Sequence, residues 1–294
     1  MTSPRFDVGM VGLGLLGSAL AERALSAGRT VCGYDVVSER GVWLRQQGGV
    51  PLASATDVVR HSAIVCLALP HDGIVREVLE SVREELQPGM IVVDVTTGAP
   101  AVMAETGAQL HARGIGYLDA TLSGSSEQVR RGEALFMVGG APEVVERVTE
   151  LLSALARQTR HVGPCGYGAR MKLVTNLVLG LNRAALAEGL VLAERLGLEL
   201  PATLAVLQES AAYSRAMDTK GQKMIDGDFT PQARLSQHLK DVRLMLAAAQ
   251  QAQQALPLSE AHRRLLEWAE SLGLGGLDNS AVFQALERLG PSPE

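Results

Sequence analysis

An apolar run at residues 6–11 leads straight into Gly12-Leu13-Gly14-Leu15-Leu16-Gly17. A helix-patterned stretch follows at 18–27, and a second apolar run at 30–34 ends on Asp35, 18 residues after Gly17. Strand, glycine turn, helix, strand and acid, in that order, constrain the chain more than any other feature. Gly12 permits the tight turn, Gly14 lets backbone approach a pyrophosphate, and Gly17 lets helix and strand close together. The helix N-terminus offers N–H groups and partial positive charge to phosphate. Asp35 stands where a carboxylate accepts hydrogen bonds from a ribose diol. Three spaced glycines alone are weak evidence in a chain with 31 of them, but the whole strand–turn–helix–strand context is specific to a dinucleotide site.

The rest of the first half repeats that alternation. Short β-type runs at 7–11, 30–34, 63–68, 90–95, 116–120, 135–138 and 158–161 are separated by amphipathic stretches such as 72–85, 100–113 and 142–156. Such alternation predicts an α/β class, a doubly wound, mostly parallel Rossmann-type sheet over 1–163. A breaker cluster at 163–168 then marks a hinge. After it only helical patterns appear, so 164–294 reads as an all-helical domain for substrate or dimer contacts. Its first helix, over 169–196, is apolar enough to require burial in a core or at a subunit contact.

Net charge is −5, which argues against nucleic acid or an anionic membrane as the main partner. No uninterrupted apolar stretch reads as a bilayer span. The opening MTSPRFDV has no apolar signal core. Cys32, Cys66 and Cys165 lack any paired spacing, which fits a reducing cytoplasm and no metal site; Cys32 and Cys66 read as small core residues.

Candidate chemistry gathers at strand ends, where open α/β sheets bind ligands. Leu69-Pro70 would lie beside the nucleotide. Thr97 either reaches cofactor or substrate or caps a helix. Ser123, Gly124, Ser125 and Ser126 form a hydroxyl- and N–H-rich nest suited to a carboxylate, or else a helix cap. Basic residues number 23 arginines and four lysines: Lys172, Lys220, Lys223 and Lys240. Lysine exchanges a proton more readily than arginine. Lys172 and Asn176, four apart, share a helix face just past the hinge, as a proton donor and an orienting amide would, although on periodicity alone a solvated pair is the commoner reading. Lys220 and Lys223 read as surface lysines.

Six ordered pieces carry a resemblance over almost the whole chain: Gly12 to Gly17; Asp94 with Thr97; Asp119-Ala120 with Ser123-Gly124; Phe136 to Gly140; Gly166, Gly168, Lys172 and Asn176; and Lys240-Asp241. Together they resemble the β-hydroxyacid dehydrogenase family, which includes 3-hydroxyisobutyrate dehydrogenase and tartronate semialdehyde reductase. The resemblance implies a Rossmann-type domain followed by a helical one. It implies Lys172 as acid/base with Asn176 as its substrate-binding partner, and Ser123 and Gly124 on the substrate carboxylate. Thr97 and Lys240 would lie near the nicotinamide.

The expected activity is reversible hydride transfer between NAD, with NADP possible, and a small anionic hydroxyacid or semialdehyde, in a cytoplasmic homodimer or homotetramer. The family's usual Ser-Gly-Gly is Ser123-Gly124-Ser125 here, and its Ser-Thr-x-x-Pro is Thr96-Thr97-Gly98-Ala99-Pro100. Many members have Asn-Arg-Thr at Asp35-Val36-Val37. Two rivals share the fold: an imine reductase, which generally lacks the lysine, and a non-catalytic nucleotide sensor, which has no need of Lys172 with Asn176.

Overall fold

The computed structural model describes residues 6–289; residues 1–5, the first part of the segment read as lacking a signal core, lie outside them. In chain order the first half runs β1 (Val8–Val11), α1 (Leu15–Ser26), β2 (Val31–Tyr34), α2 (Ser38–Gln46), β3 (Val50–Pro51), α3 (Ala55–His61), β4 (Ile64–Leu67), α4 (Asp72–Ser81) and β5 (Ile91–Asp94). Then come α5 (Pro100–His111), β6 (Gly116–Ser123), α6 (Ser126–Arg130), β7 (Leu135–Gly139), α7 (Pro142–Leu155) and β8 (Gln158–Gly163). The strands form one sheet in the order β3-β2-β1-β4-β5-β6-β7-β8. The chain steps outward from β1 to β3 and then returns to β4 on the other side of β1. That reversal makes β1 and β4 the switch point, where open sheets leave a crevice for a ligand.

Every strand pair is parallel except β6–β7, which runs antiparallel with Asp119 opposite Gly139 and Ser123 opposite Leu135. A parallel return needs a crossover of a dozen or more residues. The link here, residues 124–134, is too short for one. The same pairing carries β6 three residues past the expected end at Ala120, so Thr121 and Leu122 are strand and Ser123 is the strand's last residue. The two-residue β3 was not legible, since Pro51 has no N–H for a ladder.

Helices cover both faces. Val8, Met10, Leu118 and Phe136 meet α1 and α7 through Leu20, Ala24, Val148 and Leu152. Val11, Val65 and Val92 meet α3, α4 and α5 through Val58, Val75 and Leu110. Cys32 and Cys66 are buried, as their strand positions suggested.

The chain divides into two compact units, up to Lys172 and from Leu173. Helix α8 (Tyr167–Arg195) spans that division. It is followed by α9 (Leu200–Glu209), a π-helical turn (Met217–Gly221), α10 (Gln222–Asp226), α11 (Leu235–Gln251), α12 (Pro257–Ser271) and α13 (Val282–Glu287). No strand is present among the described residues after Gly163.

One stripe of α8, including Leu186, Ala187 and Leu190, shares a core with Leu239, Leu266 and Phe283. The remaining apolar residues are not all covered: Val174, Val178 and Leu192 are exposed. By length and composition α8 would also suffice to cross a membrane, contrary to the expectation that no stretch would. The core helix of a soluble protein passes the same test, and the α8 stripe is core.

Lys220 corrects the sequence reading. It is not a surface lysine but 8 % exposed, and its Nζ pairs with the buried Asp278 at 2.8 Å. It lies between Met217 and Met224 on a buried face, and that spacing was the signal available in the sequence.

Candidate active site

The glycine turn sits at the C-terminal end of β1. Gly12 has φ +92°, and a Cβ there would lie 2.4 Å from the Ala68 carbonyl oxygen; one at Gly17 would lie 2.0 Å from the Gly12 oxygen. Gly14 differs: the nearest atom to its Cβ position is Arg40 Nη1 at 3.5 Å. A side chain at Gly14 would therefore meet no such obstruction. Gly14 is also the N-cap of α1, with no side-chain cap bond and no acid in the first turn. Leu13 is buried, Leu15 exposed and Leu16 in between.

Asp35, at the end of β2, accepts from Leu13 N–H at 2.6 Å and Val37 N–H at 2.9 Å, and pairs with Arg40 at 2.9 Å. It thus fixes the turn, with both carboxylate oxygens engaged and the side chain 5 % exposed beside it. The ends of β4 and β5 are tied by Leu69 N–H donating to Thr96 Oγ1 at 3.2 Å. Thr96, not Thr97, makes this bond. Thr97 does not cap a helix either: α5 starts at Pro100 with Ala99 at its cap. Pro70 follows Leu69 in the same strand-end connection.

The second cluster is at the end of β6. Asp119 accepts from Gly166 N–H at 3.0 Å and Ala169 N–H at 2.8 Å, and Thr121 Oγ1 donates to the Gly168 carbonyl at 2.9 Å. Gly168 has no room for a side chain, since a Cβ would lie 2.2 Å from the Asp119 carbonyl oxygen. These contacts dock the first turn of α8 on the sheet. One turn on, the Lys172 ammonium donates to the Leu122 carbonyl, next to Ser123. Sequence reading chose Lys172 and Ser123 but missed Asp119 as the anchor between them. Ser123 is not a helix cap; Ser125 caps α6, in a capping box with Gln128. Gly124, at φ +146°, turns the chain out of β6.

In the second unit, Asn176 is 8 % exposed and its Nδ2 donates to Asp241 Oδ2 at 2.9 Å. Lys240 Nζ lies 3.7 Å from Asp241 Oδ1. The carboxylate therefore links the two residues that the sequence named separately. An acid adjoining Lys240 was visible, but its partner 65 residues earlier was not.

Two buried carboxyls underlie the site. Burial pushes Asp94 up to about 6, against bonds from Thr96 and Tyr117 that favour its charged form. Burial likewise pushes Asp119 up to about 6. A carboxyl whose folded value lies above its unfolded value near 3.8 adds stability below that value and loses it as pH rises through about 6. Asp94→Asn has no such dependence. Relative to that variant, the wild type should gain ~2 kcal/mol between pH 7.5 and 4.5. Urea midpoints of both proteins across that range check this, and a constant difference would refute it.

Residues 7–163 match the family model of the NAD-binding domain of 6-phosphogluconate dehydrogenase, and residues 166–286 that described as NAD-binding of NADP-dependent 3-hydroxyisobutyrate dehydrogenase. The chain is 31% identical over 286 residues to 2-(hydroxymethyl)glutarate dehydrogenase of Eubacterium barkeri, covering 96% of this chain and 95% of that one. It is 29% identical to 3-sulfolactaldehyde reductase of Escherichia coli strain K12, with 94% of each chain covered. The crystal structure of 3-hydroxyisobutyrate dehydrogenase from Salmonella typhimurium superposes with a TM-score of 0.88 at 29% identity, over 95% of this chain and 99% of that one.

Proposed function

Since the chain belongs to the β-hydroxyacid dehydrogenase family, we propose that it interconverts a short hydroxyacid and the corresponding semialdehyde or keto form, with Lys172 as acid/base. The observation that carries this reading is the Lys172 ammonium, held by the Leu122 carbonyl beside Ser123 at the end of β6. Residues 12–17 fit a dinucleotide: Gly14 leaves open backbone at an uncapped helix start, and Asp35 is fixed beside it. Leu69, Pro70, Thr97 and Lys240 complete the proposed cofactor contacts. When bound, the nicotinamide supplies or accepts the hydride.

The protein's own residues handle the charge and the proton. In reduction Lys172 gives a proton to the substrate oxygen; in oxidation it takes that proton back. Its bond to Leu122 fixes the ammonium in place, and Asn176, one turn on along α8, binds the substrate with its amide oriented by Asp241. Ser123 and Gly124 hold the carboxylate, so Ser123→Ala should raise KM for the acid about 10-fold or more, as expected for losing a hydrogen bond to a charged group. Because Ser125 is the cap of α6, the melting temperature should hardly move. Nicotinamide absorbance with a panel of hydroxyacids, semialdehydes, their esters and cyclic imines tests the whole reading. Equal turnover of acid and ester would remove the carboxylate, and turnover of imines alone would remove the hydroxyacid.

NAD should be preferred over NADP, because the Asp35 carboxylate repels a 2′-phosphate. Arg40, paired to that carboxylate and 44% exposed, moderates the preference. The ratio of kcat/KM for the two cofactors measures it, and a ratio favouring NADP would overturn the assignment. The exposed stripe of α8 supports a homodimer or homotetramer, and three free cysteines suit the cytoplasm.

A further inference from the structure

In the helical unit one deeply buried cation is left without a hydrogen-bonded counter-ion. Arg183 on α8 is 3 % exposed, and its Nε and Nη2 have no hydrogen-bond partner. The buried carboxylate with an electrostatic influence on it is Asp278, but the oxygens of Asp278 are already engaged. Oδ1 accepts from Lys220 Nζ and from the N–H and hydroxyl of Ser280; Oδ2 accepts from the N–H groups of Gln232 and Ala233. Two buried cations, Arg183 and Lys220, thus share one carboxylate.

A guanidinium stays protonated in proteins, so it cannot shed the charge as a buried lysine does. Leaving it unpaired in a core is costly enough that buried charges are found paired. The two idle nitrogens form the side-on edge of the guanidinium, whose paired N–H groups match an anion bidentately. His262, 5 % exposed, feels the Arg183 charge, and burial together with that charge drives its imidazole down to about 4. It is therefore neutral at neutral pH and supplies no negative charge, and its Nε2 also has no partner.

We propose that the helical unit holds a small monovalent anion, a halide or short carboxylate, on the Nε/Nη2 edge of Arg183 as a structural counter-ion. The anion is not the substrate. Arg183 lies seven residues beyond Asn176, about 10 Å along the helix axis. Between them, at Gly180, the His238 and His262 rings close over α8: a Cβ there would lie 2.5 Å from His238 Nε2 and 2.9 Å from His262 Cε1. The inference therefore stands whether or not the proposed reaction is correct.

Thermal unfolding at fixed ionic strength, with a bulky sulfonate (HEPES) replaced stepwise by chloride or formate, tests the site. Binding to the folded state alone stabilises it by mass action. The wild type should gain about 5 °C, saturating with concentration. Arg183→Met should lose the saturating response and keep its turnover. A gain from chloride alone makes the site a halide site, and one from formate alone a carboxylate site. A linear response of equal slope in both proteins overturns the proposal. Should the variant not fold, wild-type crystals in bromide decide: anomalous density on the Nε/Nη2 edge supports the site. Density at the surface only, an adventitious ion only, together with an absence of saturation by formate, overturns it.

Discussion

Lys172→Ala is expected to lower kcat by at least the ~10²-fold typical of losing a general acid. Nucleotide affinity should stay within about twofold, because the proposed cofactor grip at Gly12 to Gly17 and Asp35 is on β1 and β2, while Lys172 serves the end of β6. Lys172→Arg should fail almost as badly, since guanidinium keeps its charge but does not release the proton. The comparison separates proton transfer from electrostatics: a purely electrostatic Lys172 would be rescued by arginine. Steady-state rates, with fluorescence titration of the reduced nucleotide, give both numbers. Near wild-type turnover in the alanine variant would end the acid/base assignment.

The second large effect is a dissociation within one six-residue turn. Gly14→Ala should raise the nucleotide Kd at least ~10-fold while costing the fold no more than the ~1 kcal/mol of a weaker cap. Among the described residues, its chain neighbours aside, the atom nearest the added methyl is Arg40 Nη1 at 3.5 Å. Gly17→Ala should behave in the opposite way. Its methyl would lie 2.0 Å from the Gly12 oxygen, so backbone must shift at a cost of ~1–3 kcal/mol or more. Melting temperature and nucleotide affinity measured together on both variants check this. If Gly14→Ala bound nucleotide like the wild type, the turn would not be the pyrophosphate site.

Local signals explain why some of this could be read from sequence. The dinucleotide turn and Asp35 fall within about 30 consecutive residues, where strand and helix periods leave little choice. Lys172 and Asn176 share a helix face by their spacing, but a solvated pair has that spacing too, and only the resemblance singled them out. What escaped depends on distant partners. Asp119 reaches Ala169 across 50 residues, and Asn176 reaches Asp241 across 65. Ser123 was placed just beyond its strand because the pairing with Leu135 that extends β6 is not a property of β6 alone. Lys220 and Arg183 ran against a sound prior, that long cations face water, and the apolar residues around each were the only local warning.

The anchoring of α8 has a further consequence for recombining this enzyme with its relatives. The residues between Gly163 and Gly168 look like the seam between two exchangeable modules, but the first turn of α8 belongs to the sheet unit, through Asp119 and Thr121. A chimaera joined at Pro164 would set a foreign Gly166 to Ala169 against a native Asp119, and would draw the proposed acid from one parent and the strand that orients it from the other. Joined after Lys172, each parent would bring a complete set of contacts, and α8 would carry the splice in mid-helix.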